Sequence, residues 1–276
     1  MGELTHRITA TDGLPLVARE WGDGNQETPL LCLPGLVRTA GDFAVFAARH
    51  GRGRRVISLD YAGRGDSGRA RSVARYGPEA CLRDVLDVCA ALHVPHAITI
   101  GTSFGGLLSM GLAAARPGLI RGVVLNDIGP DIPSGGVAGI KAIVGTDPAL
   151  PDTASCVAWL RAHLPPLSLE ADSDWAEMAA LTFRRGDDER FHPNWDLRVA
   201  RLLDEPPRDL WPLFGALASV PLMLVHGAVS TVLLTDTVAR MQAQRPDMIA
   251  VSIPGVGHAP SLAEAPVAAA LDSFLA

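Results

Sequence analysis

No stretch of this 276-residue chain approaches the ~18 consecutive apolar residues that a membrane-spanning helix needs. The opening residues, Met1–His6, lack the basic-then-apolar order of a secretory leader. Four cysteines, Cys32, Cys81, Cys89 and Cys156, have no C-x-x-C spacing and are expected as buried free thiols rather than a disulfide framework. Positive charge is not in excess. The formal net charge is -6, which excludes the electrostatic footprint of a nucleic-acid binder. Arg64, Arg69, Arg71 and Arg75 form one local patch, broken by Asp66. It is expected to be a solvated loop, with substrate-anion binding as the lesser reading. No G-K-[ST] occurs, so a phosphate loop is excluded. Repeats and low-complexity segments are missing too. These absences predict a soluble, cytoplasmic protein acting on a small molecule, as a monomer or homodimer.

What is there suits a large single core: 48% of the residues are hydrophobic. Leu4–Thr9 and Pro15–Trp21 flank the turn signal Thr11-Asp12-Gly13 and predict a hairpin. Apolar runs at Pro29–Leu33, Arg55–Leu59, Ala97–Ile100 and Ile120–Leu125 read as buried strands. Helical spacing separates them at Thr39–Arg49, Pro78–Leu92 and Phe104–Arg116. Such alternation predicts a mostly parallel sheet covered on both faces. It breaks between Gly129 and Ala218, where helical fragments, prolines and four of the five tryptophans gather and no clear buried strand is visible. It resumes with Leu222–Val225, a helix at Thr235–Ala243, the strand Met248–Ile253 and a terminal helix, Leu262–Leu275.

The chemistry centres on Gly101-Thr102-Ser103-Phe104-Gly105. This is G-x-S-x-G between a strand and a helix, the setting in which a tight turn exposes a nucleophilic serine. Helix-opening N–H groups beside Ser103 can receive an oxyanion. A serine hydroxyl needs a base. Of the eight histidines, His258 is the best candidate, in the glycine-flanked loop Gly255–Pro260 after the last strand. In a parallel sheet that loop shares an edge with the serine turn. His93-x-x-His96 resembles a metal pair but is expected to be two surface histidines, so no metal is assigned. Gly63-x-Gly65-x-x-Gly68 fits a dinucleotide fingerprint but opens no helix, and no cofactor is assigned.

Gly101–Gly105, Gly257-His258 and the turn Leu33-Pro34-Gly35-Leu36 together resemble the α/β-hydrolase fold family. The resemblance is to its small capped bacterial esterases, enol-lactonases and carbon–carbon bond hydrolases. Leu59–Ser67 and Asn126–Pro130 are similar to the same group, so the likeness spans essentially the whole chain. It implies an eight-stranded, mostly parallel sheet with helices on both faces and a helical cap inserted after the sixth strand. Residues 1–129 and 219–276 would form the core and 130–218 the cap. It further implies Ser103 as nucleophile, His258 as base and then acid, and an oxyanion hole made by the N–H groups of Leu36 and Phe104.

The chain departs from the family where the acid is expected. An Asp after the seventh strand commonly orients the histidine. Here that loop reads Gly227-Ala228-Val229-Ser230-Thr231, and no carboxylate occurs between Gly227 and Thr235. Asp127, after the sixth strand, is the first candidate, since some family members take the acid from that position. Asp236, at a helix start, is the second. A Ser–His dyad or a crippled site is the third. Arg38, two residues beyond Leu36, is a candidate for a substrate carboxylate or a surface ion pair. Trp159, Trp175 and Trp195 read as pocket wall or cap core. The expected function is carboxylic-ester hydrolysis through an acyl-enzyme. The alternatives are carbon–carbon cleavage of a keto acid and a catalytically weak small-molecule binder.

Overall fold

The computed structural model describes residues 2–22, 24, 26–205 and 208–276. Met1, Asp23, Asn25, Pro206 and Pro207 lie outside them, the last two within the interval 130–218. Eight strands build one sheet: β1 (Glu3–Thr9), β2 (Pro15–Trp21), β3 (Leu30–Leu33), β4 (Val56–Asp60), β5 (Ala97–Thr102), β6 (Ile120–Asn126), β9 (Leu222–Gly227) and β10 (Ile249–Ile253). The spatial order is β1-β2-β4-β3-β5-β6-β9-β10. Pairing is antiparallel from β1 through β2 to β4 and parallel from there on.

Burial on both faces explains why the central strands read as continuous apolar runs. Successive residues of β9 alternate between two cores. Leu222 and Leu224 join one, Met223 and Val225 the other. Leu31/Leu33 and Leu30/Cys32 divide β3 the same way, as period-2 geometry requires. Helices α2 (Pro78–Ala91), α3 (Phe104–Ala115) and α8 (Thr235–Gln244) contribute to the first core, α1 (Ala44–His50) and α9 (Ala265–Leu275) to the second. Among the described residues, no helix is long and apolar enough to cross a membrane. All four cysteines are buried and free. Burial pushes the Cys81 and Cys89 thiols up to about 11 and about 12, so neither offers a competing thiolate near neutrality.

Between β6 and β9 the chain adds α4 (Ser134–Val144), α5 (Thr153–His163), α6 (Asp172–Thr182), a turn of 3₁₀ helix at Leu197–Asp204 and α7 (Trp211–Gly215). It also contains a short antiparallel pair, β7 (Phe183–Arg185) and β8 (Phe191–Pro193). The sequence showed no strand here because three-residue strands leave no alternation to read. Cys156, Leu160, Ala179 and Phe183 form a separate small core for α5 and α6. The later part of the insertion returns to the sheet before residue 219: Phe214 and Leu217 belong to the first main core.

The arginine patch is not one solvated loop. Arg69 and Arg71 are exposed, but Arg64 is wholly buried. Arg75 pairs with both Asp12 and Asp84. The glycines around it serve the loop's own packing. A Cβ on Gly65, at φ +53°, would sit 2.1 Å from the Asp60 carboxylate, whose oxygens accept the Ala40 and Asp66 N–H groups at 2.7 and 2.9 Å.

Candidate active site

Strands β5 and β6 are neighbours whose last registered pair is Thr102 with Asn126. The next residue on each strand is therefore delivered to the same edge: Ser103 on one, Asp127 on the other. Both adopt positive φ, +52° and +54°. The strained turn at Ser103 is fixed by its N–H, which donates to Asn126 O at 2.9 Å. Asp127 is held likewise, its N–H donating to Val225 O at 2.8 Å. Only small residues fit around Ser103. A Cβ on Gly101 would lie 2.5 Å from Gly105 O, and one on Gly105 would lie 1.9 Å from Leu33 O. Gly105→Ala is accordingly expected to cost about 3 kcal/mol, a fall of roughly 6–12 °C in melting temperature by circular dichroism.

His258 reaches both residues. Asp127 is wholly buried, and its Oδ2 lies 2.8 Å from His258 Nδ1. Ser103 Oγ lies 2.8 Å from His258 Nε2. A carboxylate can only accept, so Nδ1 carries the proton and Nε2 is free to accept from the serine hydroxyl. The second Asp127 oxygen takes the Gly227 N–H at 2.9 Å, which locks the carboxylate's orientation. Asn126 ties the same corner together: its Nδ2 donates to Thr102 Oγ1 at 3.1 Å and to Pro260 O at 2.9 Å. Nothing in the local sequence singles out Asn126, since its role exists only once β5, β6 and the histidine loop meet.

The loop after β3 lies against the start of α3, as the Gly105 clearance to Leu33 O and Pro34 O requires. Its three carbonyls are tied away. Pro34 O accepts from Tyr61 Oη at 3.2 Å, Gly35 O from Arg38 N–H at 3.1 Å, and Leu36 O from Arg64 Nε at 2.8 Å. Among the described residues, neither the Leu36 N–H nor the Phe104 N–H donates a hydrogen bond. Phe104 opens α3, where such N–H groups have no partner within the helix.

The other candidates have different surroundings. Thr231 is exposed and Asp236 lies exposed in the first turn of α8, away from the histidine's filled Nδ1. Arg38 is engaged by Asp42 through Nε (2.8 Å) and Nη2, and by Thr182 of α6 through Nη1 at 2.6 Å. Trp159 stacks on His163 and meets Phe183 edge-on within the small core. Trp175 packs there too, under the Arg161 guanidinium. Trp195 is buried between Val144, whose carbonyl takes its indole N–H at 2.9 Å, and Tyr76. The structure thus brings Ser103, His258 and Asp127 together and gives these four side chains partners within the insertion and its seam. The insertion reaches the site by another route: Gly257 N–H donates to Pro166 O at 2.7 Å, and Pro165 packs on Gly257.

Comparison with known proteins agrees with this architecture. A 3-hydroxybutyrate-oligomer hydrolase from Cupriavidus necator is 31% identical over 259 residues, covering 89% of this chain and 87% of the relative. A 2-(acetamidomethylene)succinate hydrolase from Mesorhizobium japonicum is 26% identical over 247 residues, covering 89% and 85%. The crystal structure of an alpha/beta hydrolase from Novosphingobium aromaticivorans superposes with a TM-score of 0.92 at 34% identity, covering 99% of this chain and 98% of that one. The alpha/beta hydrolase family model matches residues 30–270, and the chain belongs to that family.

Proposed function

We propose that this hydrolase cleaves carboxylic esters through an acyl-enzyme on Ser103, with short esters of hydroxy acids as its substrate class. The observation that carries the reading is the unbroken pair of 2.8 Å bonds from Ser103 Oγ through His258 to Asp127. The N–H groups of Leu36, in the loop after β3, and of Phe104, at the start of α3, are without partners among the described residues and lie beside it. Ser103 Oγ attacks the ester carbonyl carbon and His258 Nε2 takes its proton. The carbonyl oxygen becomes an oxyanion received by the two N–H groups. His258 returns the proton to the departing alkoxide, and water repeats the cycle on the acyl-enzyme. Asp127 keeps Nδ1 protonated and offsets the imidazolium charge. No step calls for a cofactor, and the substrate is a soluble small molecule met in the cytoplasm.

The substrate class rests on the Cupriavidus relative, the more similar of the two proteins compared by sequence. Carbon–carbon cleavage of a keto acid needs a free cation for the carboxylate, and Arg38 is already held by Asp42 and Thr182. A catalytically weak binder was suggested by Thr231, but a buried carboxylate from another strand stands at His258. Incubation with linear 3-hydroxybutyrate dimer and trimer and a p-nitrophenyl ester series, with acid release measured, tests the reading. Hydrolysis of none of them refutes it. Because His258 Nδ1 is already taken, Thr231→Asp is expected to change ester turnover by less than about threefold. A gain of tenfold or more would place the working acid in the loop after β9.

A further inference from the structure

A charged side chain removed from water ordinarily finds a carboxylate. Arg64 does not. It is wholly buried, and among the described residues no carboxylate forms an ion pair with it. Asp84, whose field reaches it, is held by two bonds to Arg75. Burial weakens the guanidinium's hold on its proton, yet arginine starts so high that it stays charged. Nε donates to Leu36 O at 2.8 Å and Nη1 to Ala62 O at 2.7 Å, while Nη2 has no partner among the described residues. The rings of Tyr61, Tyr76 and Phe104 surround the guanidinium carbon at 5.9, 5.6 and 6.0 Å.

Two of these neighbours belong to the site. Arg64 touches Leu36 at its carbonyl and Phe104 at its ring, the two residues whose N–H groups are assigned to the oxyanion. In the loop Pro34–Leu36 the Leu36 side chain packs against two cores. Gly35 O is held by the Arg38 N–H, and Arg64 fixes the next peptide through Leu36 O, so the Leu36 N–H is held from both sides.

We propose that Arg64 is a positioning residue for ester hydrolysis: it holds the Leu36 carbonyl and places a positive charge behind both oxyanion donors. The proposal rests on the ester-hydrolase reading of Ser103. Arg64 is wholly buried, so its charge is little screened by water and stabilises the developing oxyanion more than the neutral ester. An interaction stronger in the transition state raises kcat and leaves KM nearly unchanged. A counter-ion would cancel the charge where it is needed, which gives the missing carboxylate a physical reason.

The test compares Arg64→Met, which keeps bulk without charge or donor, with Arg64→Lys, which keeps the charge. Three readouts are used: steady-state hydrolysis of p-nitrophenyl butyrate, melting temperature, and the rate of Ser103 phosphonylation by a fluorophosphonate, followed by intact mass. The phosphonyl oxygen occupies the oxyanion's place, so labelling reports on the donors even without ester turnover. In Arg64→Met, kcat and the labelling rate are expected to fall about 100-fold with KM within about threefold. Its melting temperature is expected within about 4 °C of wild type, because relief of the buried charge offsets the lost donors to Leu36 O and Ala62 O. Arg64→Lys is expected within about tenfold of wild type. Wild-type kcat and labelling in Arg64→Met overturn the proposal, as does a loss confined to KM or one that tracks a lowered melting temperature. If Arg64→Met does not fold, Arg64→Gln against Arg64→Lys decides: Gln slower by about tenfold supports the charge, and equal rates overturn it. A wild type that is labelled but hydrolyses no ester refutes the ester reading alone, and the Arg64 comparison then stands on labelling rates.

Discussion

Asp127→Asn is expected to lower ester turnover by about 10⁴-fold while leaving the fold nearly as stable. The carboxylate has two duties in the structure, one per oxygen: Oδ1 accepts the Gly227 N–H and Oδ2 accepts the His258 Nδ1–H. Asparagine retains one acceptor for Gly227, so the corner between β6 and β9 stays closed. Its amide group then faces Nδ1 with N–H, which forces the ring into the other tautomer. Nε2 would carry the proton and could no longer accept from Ser103. Asp127→Ala separates the two duties. It should lose similar activity and also stability, about 1–3 kcal/mol for the orphaned Gly227 N–H in a buried setting. The measurements are kcat on p-nitrophenyl butyrate and thermal denaturation of both variants. Wild-type turnover in Asp127→Asn would remove this residue from the mechanism.

The largest loss is expected from Ser103. Replacing it with alanine should reduce turnover by about 10⁶-fold and abolish the mass shift produced by a fluorophosphonate. Equal rates for Ser103→Ala and wild type would end the acyl-enzyme reading. Ser103→Gly adds a second, opposite readout. At φ +52° and ψ -116° the serine occupies backbone space that suits glycine. Ser103→Gly should be as inactive as Ser103→Ala yet melt about 2–4 °C above it, since a strain of about 1 kcal/mol is relieved. No difference in melting temperature would show that the strain is spread over the neighbouring turn.

Much of the molecule was legible in the chain. Strands β3, β4, β5, β6 and β9 announce themselves because both faces are buried, leaving runs such as Leu222–Val225 with no polar interruption. The serine turn is legible because its two glycines answer a local steric demand, and Gly257-His258 because strand order puts that loop at the same edge. Asp127 was legible only as one of several options. What favours it is the register of Thr102 beside Asn126 and the Gly227 N–H that clasps its carboxylate, neither of which is local in the sequence. Arg64 was misread, since an arginine among arginines and glycines looks solvated, and only the closure of Tyr61, Tyr76 and Phe104 around it reverses that. Arg38 carried a hint in the sequence, an aspartate four residues on. The thread to Thr182 of α6 depends on where the insertion folds.

On the mechanism proposed above, a carboxylate at the end of β6 makes nucleophile and acid travel as one rigid unit on two hydrogen-bonded strands. The same mechanism gives the loop after β9 no part in the chemistry. Ala228, Val229 and Thr231 are exposed there, with the neighbouring Gly227 N–H as the loop's remaining link to the acid. Selection can rewrite that turn's outer surface without touching the reaction, which makes it the natural place for a lineage to vary, and for an engineer to graft a tag or a short recognition peptide.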